Sequence, residues 1–365
     1  MKKNPIKIMF AAIFILIFSA LFASAGSPVT EVNGNEKGEN TDLNEGMLKS
    51  ALTRIEITGG ISAGYFYASN PGENGSDDEF LLSNFLVELS SSNKGLPMGF
   101  GGAFGETSTP SLLDTPENNN NFDIEYASLT LKPITDLSIE AGLLQPNAGF
   151  ENTYTFNNKN VILGAVASQQ PYNAYGARIG YDHNKNDLSF WGGYYKERLD
   201  DDEYNSPDYA WEIGLSASIS KNTYSLYHYN VHGQRSLTGV VIESTIQGID
   251  IALNLDYWRW DNRIIDLQGN KSSIGVAVYI CPNFNNFSIP VRLEYINQDS
   301  SRIYIDTINA ERISSVTVSP TWYFDEKTYV RVESVYVNAD SAFIHKDGIS
   351  KDNRISLAIE VGLLF

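Results

Sequence analysis

The sequence predicts an all-β fold, a transmembrane antiparallel β-barrel of about 16 strands, within roughly 14 to 18. Three features lead there: an N-terminal export signal, period-2 segments repeated from residue 54 to the end, and links between them that alternate short and long.

Lys2, Lys3 and Lys7 form a positive n-region, residues 8–22 are almost wholly apolar, and Ala23-Ser24-Ala25 supplies a small-residue cleavage pattern. This is the grammar of a secretory signal peptide over residues 1–25. A retained anchor is the competing reading, but the apolar run falls short of the roughly 20 residues a spanning helix needs. No later stretch approaches that length, so further membrane contact must come from a closed barrel, the other structure that satisfies its own backbone in hydrocarbon.

Residues 26–53 are polar, with Glu31, Glu36, Lys37, Glu39 and Asp42 among Ser, Thr, Asn and Gly, and read as a flexible periplasmic leader. Leu43, Met47, Leu48 and Leu52 are spaced to line one face of a short helix, which keeps a plug as an alternative.

The barrel proper is expected over residues 54–365. Strands are placed at 54–69, 80–91, 98–106, 122–132, 137–144 and 174–183, then at 188–197, 208–219, 223–231, 236–246 and 249–260. The rest fall at 271–280, 287–297, 312–324, 328–338 and 354–365. The last shows the pattern best: Ile355, Leu357, Ile359, Val361, Leu363 and Phe365 alternate with Ser356, Ala358, Glu360, Gly362 and Leu364. In 122–132 the apolar parity changes between Ile124 with Tyr126 and Leu129 with Leu131, so a bulge is expected there.

Links at 92–97, 133–136, 184–187, 220–222, 247–248, 281–286 and 325–327 are short. Between them lie longer links at 70–79, 107–121, 145–173, 198–207, 261–270, 298–311 and 339–353, with 232–235 the one short member. Bacterial barrels join an even number of strands by short periplasmic turns and longer external loops, so this parity puts both chain ends in the periplasm and the barrel in the outer membrane of a Gram-negative-type bacterium.

The chain ends on Phe365 after an alternating strand, which resembles the C-terminal signature read by the barrel assembly machinery. A second resemblance covers residues 139–195. Glu140-Ala141-Gly142-Leu143-Leu144 leads into Gly149-Phe150-Glu151, then Pro171-Tyr172 and Tyr175-Gly176-Ala177-Arg178-Ile179-Gly180-Tyr181. This is similar to the putative β-barrel porin-2 (OmpL-like) family, and the resemblance implies a porin-type barrel without naming a solute.

Charge and composition narrow the partners. A net charge of −18 repels nucleic acid and permits cationic solutes or divalent ions. The 21 Tyr and 5 Trp suit aromatic girdles at the two membrane interfaces. The single Cys281 lacks a partner for an internal disulfide and reads as a structural thiol. Asp200-Asp201-Asp202-Glu203, in a predicted external loop, reads as a solvated acidic run, with divalent ions bridging lipopolysaccharide as the alternative. His228 and His232 share one strand face, yet no third ligand is evident, so no metal site is assigned. The one Gly-x-Ser-x-Gly string, Gly60-Ile61-Ser62-Ala63-Gly64, falls inside the predicted strand 54–69 and not on the strand-to-helix turn that a nucleophile elbow needs, so a membrane-embedded hydrolase is the weakest of the function classes and no cofactor is expected.

Strand parity assigns Glu56, Glu88, Glu125, Glu140, Glu212, Asp256, Glu294, Glu333 and Glu360 to the lumen, with Arg178, Arg292 and Arg331 as basic counterparts. The link 145–173 is too long for an ordinary loop and too rich in Phe150, Tyr154, Phe156, Val161, Ile162 and Leu163 for disorder. It is expected to fold into the barrel and narrow it through Glu151, Tyr154, Phe156 and Lys159, with an external cap or subunit latch as the competing reading. Together these point to a diffusion channel for small hydrophilic solutes that prefers cations, set in outer-membrane lipid and lipopolysaccharide. A structural or adhesive barrel with a blocked lumen is the alternative, and an assembly of identical barrels is compatible with either.

Overall fold

The computed structural model describes residues 55–69, 78–91, 99–108, 112, 126–183, 187–197, 209–232, 234–260, 271–298, 310–341, 344–346 and 349–365. The expected signal peptide, the leader, Glu125 and the acidic run 200–203 lie outside the described residues.

The chain forms 16 staves of one antiparallel sheet, each paired to its neighbours in sequence. They are β1 (Ile55–Ala68), β2 (Asp78–Ser91), β3 (Gly99–Thr107), β4 (Tyr126–Ile134), β5 (Leu137–Leu144), β6 (Ala174–His183), β7 (Leu188–Glu197) and β8 (Tyr209–Ile219). They continue as β9 (Asn222–Val231), β10 (Arg235–Ile246), β11 (Ile249–Trp260), β12 (Lys271–Phe284), β13 (Phe287–Ser288 with Val291–Gln298), β14 (Arg312–Val318 with Thr321–Tyr323), β15 (Thr328–Ala339) and β16 (Asn353–Leu364). β16 pairs back onto β1 from Gly60 with Leu364 to Ala68 with Ser356, which closes the barrel. Phe365 seals the seam, exchanging two 3.0 Å backbone hydrogen bonds with Gly59. A small hairpin of Ile344–Lys346 and Ile349–Lys351 stands apart from the barrel sheet.

One rim carries only short connections. The β10–β11 turn is the two-residue Gln247-Gly248, both at positive φ (53° and 82°), the left-handed pair whose twist matches that of the flanking strands. Asp325 organises the β14–β15 turn by accepting the Lys327 and Thr328 N–H groups at 2.8 and 2.7 Å, and these bonds hold its carboxyl below the usual range.

Three local features depart from simple alternation. The expected strands 287–297 and 312–324 are each broken, at Pro290 and at Pro320, because proline has no N–H for the ladder. The breaks lie side by side and their carbonyls remain used: Ser319 N–H donates to the Pro290 carbonyl and Val332 N–H to that of Pro320. The second feature is a bulge in β2, where Ser62 faces Asn84 but Ala63 faces Leu82. The extra residue, Ser83, moves the inner face of β2 from odd to even positions. The third corrects the expected bulge in 122–132. Within the described part the parity holds, Tyr126 and Ser128 facing inward and Leu129 and Leu131 outward, and the irregular pairing comes after Leu131, beside Pro133.

The outer face is what lipid requires. Ile179, Ile213 and Val361 are each more than half exposed, with Leu226, Ile274, Leu293, Val332 and Ile359 around the same belt. Aromatic side chains flank it at both rims. Phe284, Phe324, Phe365 and the Phe287–Trp322 pair, 6.1 Å apart, mark the short-turn rim. Tyr257, Tyr336, Trp211 and the stacked Tyr194–Tyr209 pair mark the other.

A barrel closed by this many backbone bonds resists detergent until heated. The protein, extracted with the outer membrane, is expected to migrate faster on detergent gels unboiled than boiled. Recovery as a soluble periplasmic species with no such shift would contradict the closed sheet.

Candidate functional site: a segment folded inside the barrel

Between β5 and β6 the chain leaves the sheet for residues 145–173, which hold only two single 3-10 turns, Thr155–Asn157 and Ala167–Gln169. Its apolar members Tyr154, Phe156, Val161, Ile162, Ala165 and Val166 are buried. It bonds to inward-facing side chains of β2, β8, β11, β13, β15 and β16, staves spread right round the barrel, which one short segment can reach only from inside.

Its course follows a series of wall carboxylates. Asn147 N–H donates to Glu212 at 3.0 Å, and Phe150 N–H donates to Asn254 at 3.1 Å while its ring packs 4.4 Å from Tyr279. Thr155 donates its N–H to Asn84 at 2.6 Å and its hydroxyl to Glu360 at 2.5 Å. Val161 and Ile162 N–H groups meet the two oxygens of Glu333 at 2.6 and 2.8 Å. Val166 N–H reaches Glu294 at 2.9 Å, and the Gln170 amide reaches Asp256 at 2.7 Å. Lys159 pairs with Asp250 at 3.3 Å. Asp250 and Asp256 both lie on β11, roughly 20 Å apart along the strand at ~3.4 Å per residue, so the segment runs deep into the barrel.

Buried backbone that is neither helix nor sheet has no ladder to accept its N–H groups. Here ionisable side chains supply the acceptors, and charge-assisted bonds are the stronger kind. Arginines serve the carbonyls in turn. Arg331 donates to the Asn158 and Thr155 carbonyls at 3.0 and 3.4 Å, and Arg292 to the Ile162 carbonyl at 3.0 Å. Arg292 is fully buried, clasped between Glu151 of the segment at 2.5 Å and Glu294 of its own strand at 3.1 Å. Glu151 also accepts the Gly164 N–H at 2.7 Å.

Tyrosines lying flat on glycines brace this wall. Tyr227 crosses Gly239, its cross-strand partner, to donate to Asp256, and a Cβ on Gly239 would sit 2.2 Å from the ring. Tyr329 crosses Gly362 in the same way to Glu360, and Tyr195 crosses Gly193 to Glu212. Sequence reasoning did not identify these triplets. The available signal was a glycine and a tyrosine both on the inner parity, on adjacent strands for Tyr227 with Gly239 and Tyr329 with Gly362 and two apart on one strand for Tyr195 with Gly193.

Of the residues singled out from the sequence, Glu212, Asp256, Arg292, Glu294, Arg331, Glu333 and Glu360 come together around the segment with Glu151, Tyr154, Phe156 and Lys159. Glu140 and Arg178 form a 2.6 Å ion pair at its edge, with the Tyr126 hydroxyl 2.7 Å from Glu140 and Arg178 3.7 Å from Glu212. Glu56 and Glu88 share the inner parity near the short-turn rim but are exposed and away from the segment. Among the described residues no group of three metal-ligating side chains occurs. His228 faces outward, 2.8 Å from the Thr238 hydroxyl and 5.1 Å from Trp211, as an interface aromatic.

The segment is not centred. Inner-face residues of β13, β15 and β16 are buried almost without a break, whereas those on the short-turn half of β4 to β10, including Ser128, Thr130, Lys132, Ser138, Asp182, Ser189, Trp191, Ser216, Ser218, Thr223, Ser225, Glu243 and Thr245, are partly or fully exposed.

The family described as "Putative beta-barrel porin-2, OmpL-like" matches residues 54–365. Solved structures with a similar fold include the outer-membrane OmpT of Vibrio cholerae (11% identity, 85% of this chain and 97% of that one, TM-score 0.59). The outer-membrane channel DcaP of Acinetobacter baumannii (13%, 85% and 97%, 0.59) and an anion-selective porin from Comamonas acidovorans (10%, 85% and 99%, 0.60) are others. No curated protein sequence matches the chain.

Replacing Arg292 by Ala leaves Glu151 and Glu294 facing each other unpaired, a change that costs about 3–5 kcal/mol in buried pairs. The expected result is a closed, heat-modifiable barrel whose inner segment has come loose, so that trypsin cuts after Lys159 in Arg292→Ala and spares it in the parent. Equal resistance in both would show that Arg292 does not hold the segment.

Proposed function

Since the chain belongs to the Putative beta-barrel porin-2, OmpL-like family of outer-membrane channels, we propose that it is a water-filled pore for the passive diffusion of small hydrophilic solutes across the Gram-negative outer membrane. The observation that carries this reading is the off-centre segment. A barrel this wide has room for an aqueous lumen, and here the filling buries the inner face of β13, β15 and β16 while the short-turn half of β4 to β10 keeps polar side chains exposed. On this reading the segment 145–173 sets the narrowest cross-section and no cofactor takes part.

We further propose a mild cation preference. Most carboxylates of the inner wall are engaged by N–H and hydroxyl donors or by arginine, which compensates their field. Among the described residues, those exposed on the inner face are Glu56, Glu88 and Asp182, with Glu79, Glu243 and Asp250 half-exposed, against Lys132, Lys159 and Arg235. Six acidic groups against three basic ones leave an excess that low-dielectric walls focus on passing ions. Screening over ~8 Å at physiological salt makes the preference strongest in dilute salt.

Planar-bilayer recording tests both parts. Shortening 145–173 with both flanking strands kept should raise single-channel conductance, and unchanged conductance in an inserted, shortened barrel would move the constriction elsewhere. Under a KCl gradient the reversal potential should report potassium as the more permeant ion, and a chloride-selective value would reject the charge argument. An inserted barrel that carries no current would favour a structural barrel with a blocked lumen.

A further inference from the structure

On the channel reading above, we infer that the open half of the inner wall carries a saccharide-binding step centred on Trp191. The inward-facing Trp191 of β7 stands between two inward-facing glycines, Gly180 of β6 and Gly214 of β8, each its cross-strand partner. Its ring lies flat across Gly214, where a Cβ would meet indole carbons at 2.1 Å, so the space a side chain would fill is taken by the aromatic plane. The ring stays partly exposed while its Nε1 is buried without a hydrogen-bond partner. What Trp191 offers the lumen is therefore an apolar face and not a donor.

Hydroxyls rim that face. Ser189 and Ser216 are cross-strand partners beside it, and Ser225 donates to Ser216 at 3.0 Å. Ser218 and Thr223 lie 3.2 Å apart further down, and Ser138, the register partner of Gly180, stands on the other side with Asp182 next along β6. Formal charge in this sector is sparse and mixed: Lys132, Asp182, Glu243 and the internally paired Glu140 and Arg178. This combination suits one chemistry. A pyranose ring has an apolar C–H face that packs on an aromatic plane and equatorial hydroxyls that exchange water for Ser and Thr partners. An anion would meet the negative face of the indole, and an apolar solute would leave those hydroxyls unpaired.

The test uses the purified full-length barrel in a planar bilayer with raffinose, a neutral trisaccharide, and polyethylene glycol of matching size as the probe that enters by size alone. Raffinose should lower the current saturably and polyethylene glycol should not. In Trp191→Ala the raffinose concentration for half-block should rise about tenfold, the loss expected for one contact of ~1.4 kcal/mol, with Trp191→Phe in between. A purely structural Trp191 would change conductance and leave half-block concentrations unmoved, which overturns the inference. So does a wild-type barrel in which raffinose acts like polyethylene glycol, a result that needs no variant to fold. Absence of any current would instead overturn the channel reading itself, and this site with it.

Discussion

Every feature of this barrel depends on one constraint: a backbone crossing hydrocarbon must satisfy its own hydrogen bonds. Pairing β16 to β1 removes the last free edge, and from that closure follow the two faces of each strand, one toward lipid and one toward the lumen. Local breaches are tolerated only where their effects can be confined. The breaks at Pro290 and Pro320 fall beside each other on adjacent staves near the short-turn rim, where both carbonyls still receive N–H donors from their neighbours. The bulge at Ser83 turns a lone extra residue inward, next to Asn84, whose amide oxygen then meets Thr155 of the inner segment.

The same constraint reappears inside, with a different solution. Residues 145–173 are irregular and buried, so their N–H groups need acceptors that no ladder provides. Glu333 takes two successive amides, Glu294 and Glu212 one each, and Glu151 closes a loop within the segment. A carboxylate can do this because its two oxygens together accept about four bonds. The buried charges need countercharge as well, and Arg292, inserted between Glu151 and Glu294, supplies it from the centre of the contact.

Much of this was legible in the chain. Period-2 alternation located the 16 staves because lipid and water enforce opposite preferences on consecutive residues. Parity alone put Glu212, Asp256, Glu294, Arg331 and Glu360 on one face. Their partners were not legible, because pairing links positions far apart in sequence: Thr155 to Glu360, Val161 to Glu333, Gln170 to Asp256. Nor was the use of the carboxylates. Counted as free charges they suggest an ion filter, whereas most of their oxygens are taken by amide and hydroxyl donors. Tyr126 misled for a related reason. An aromatic residue near a strand end is as much at home on the lipid face as in the lumen, and only its bond to Glu140 shows which side it takes.

Holding and, on the proposed channel reading, filtering fall to different parts of the wall. The arc from β11 round to β16, with Glu212 of β8, carries the charged groups that fasten the segment, and tyrosines laid over glycines keep several of those carboxylates in place, as Tyr227 of β9 does for Asp256 across Gly239 of β10. A substitution there breaks a buried network and loosens the segment, so its cost is structural before it is selective. The short-turn half of β4 to β10 carries side chains that do little for the fold. On the proposed channel reading, exchanges at Lys132, Asp182, Ser216 or Glu243 would alter what a passing solute meets without touching a bond to the segment. On that reading, a barrel built this way could change its preference among solutes along one wall while the network that holds the segment stays the same.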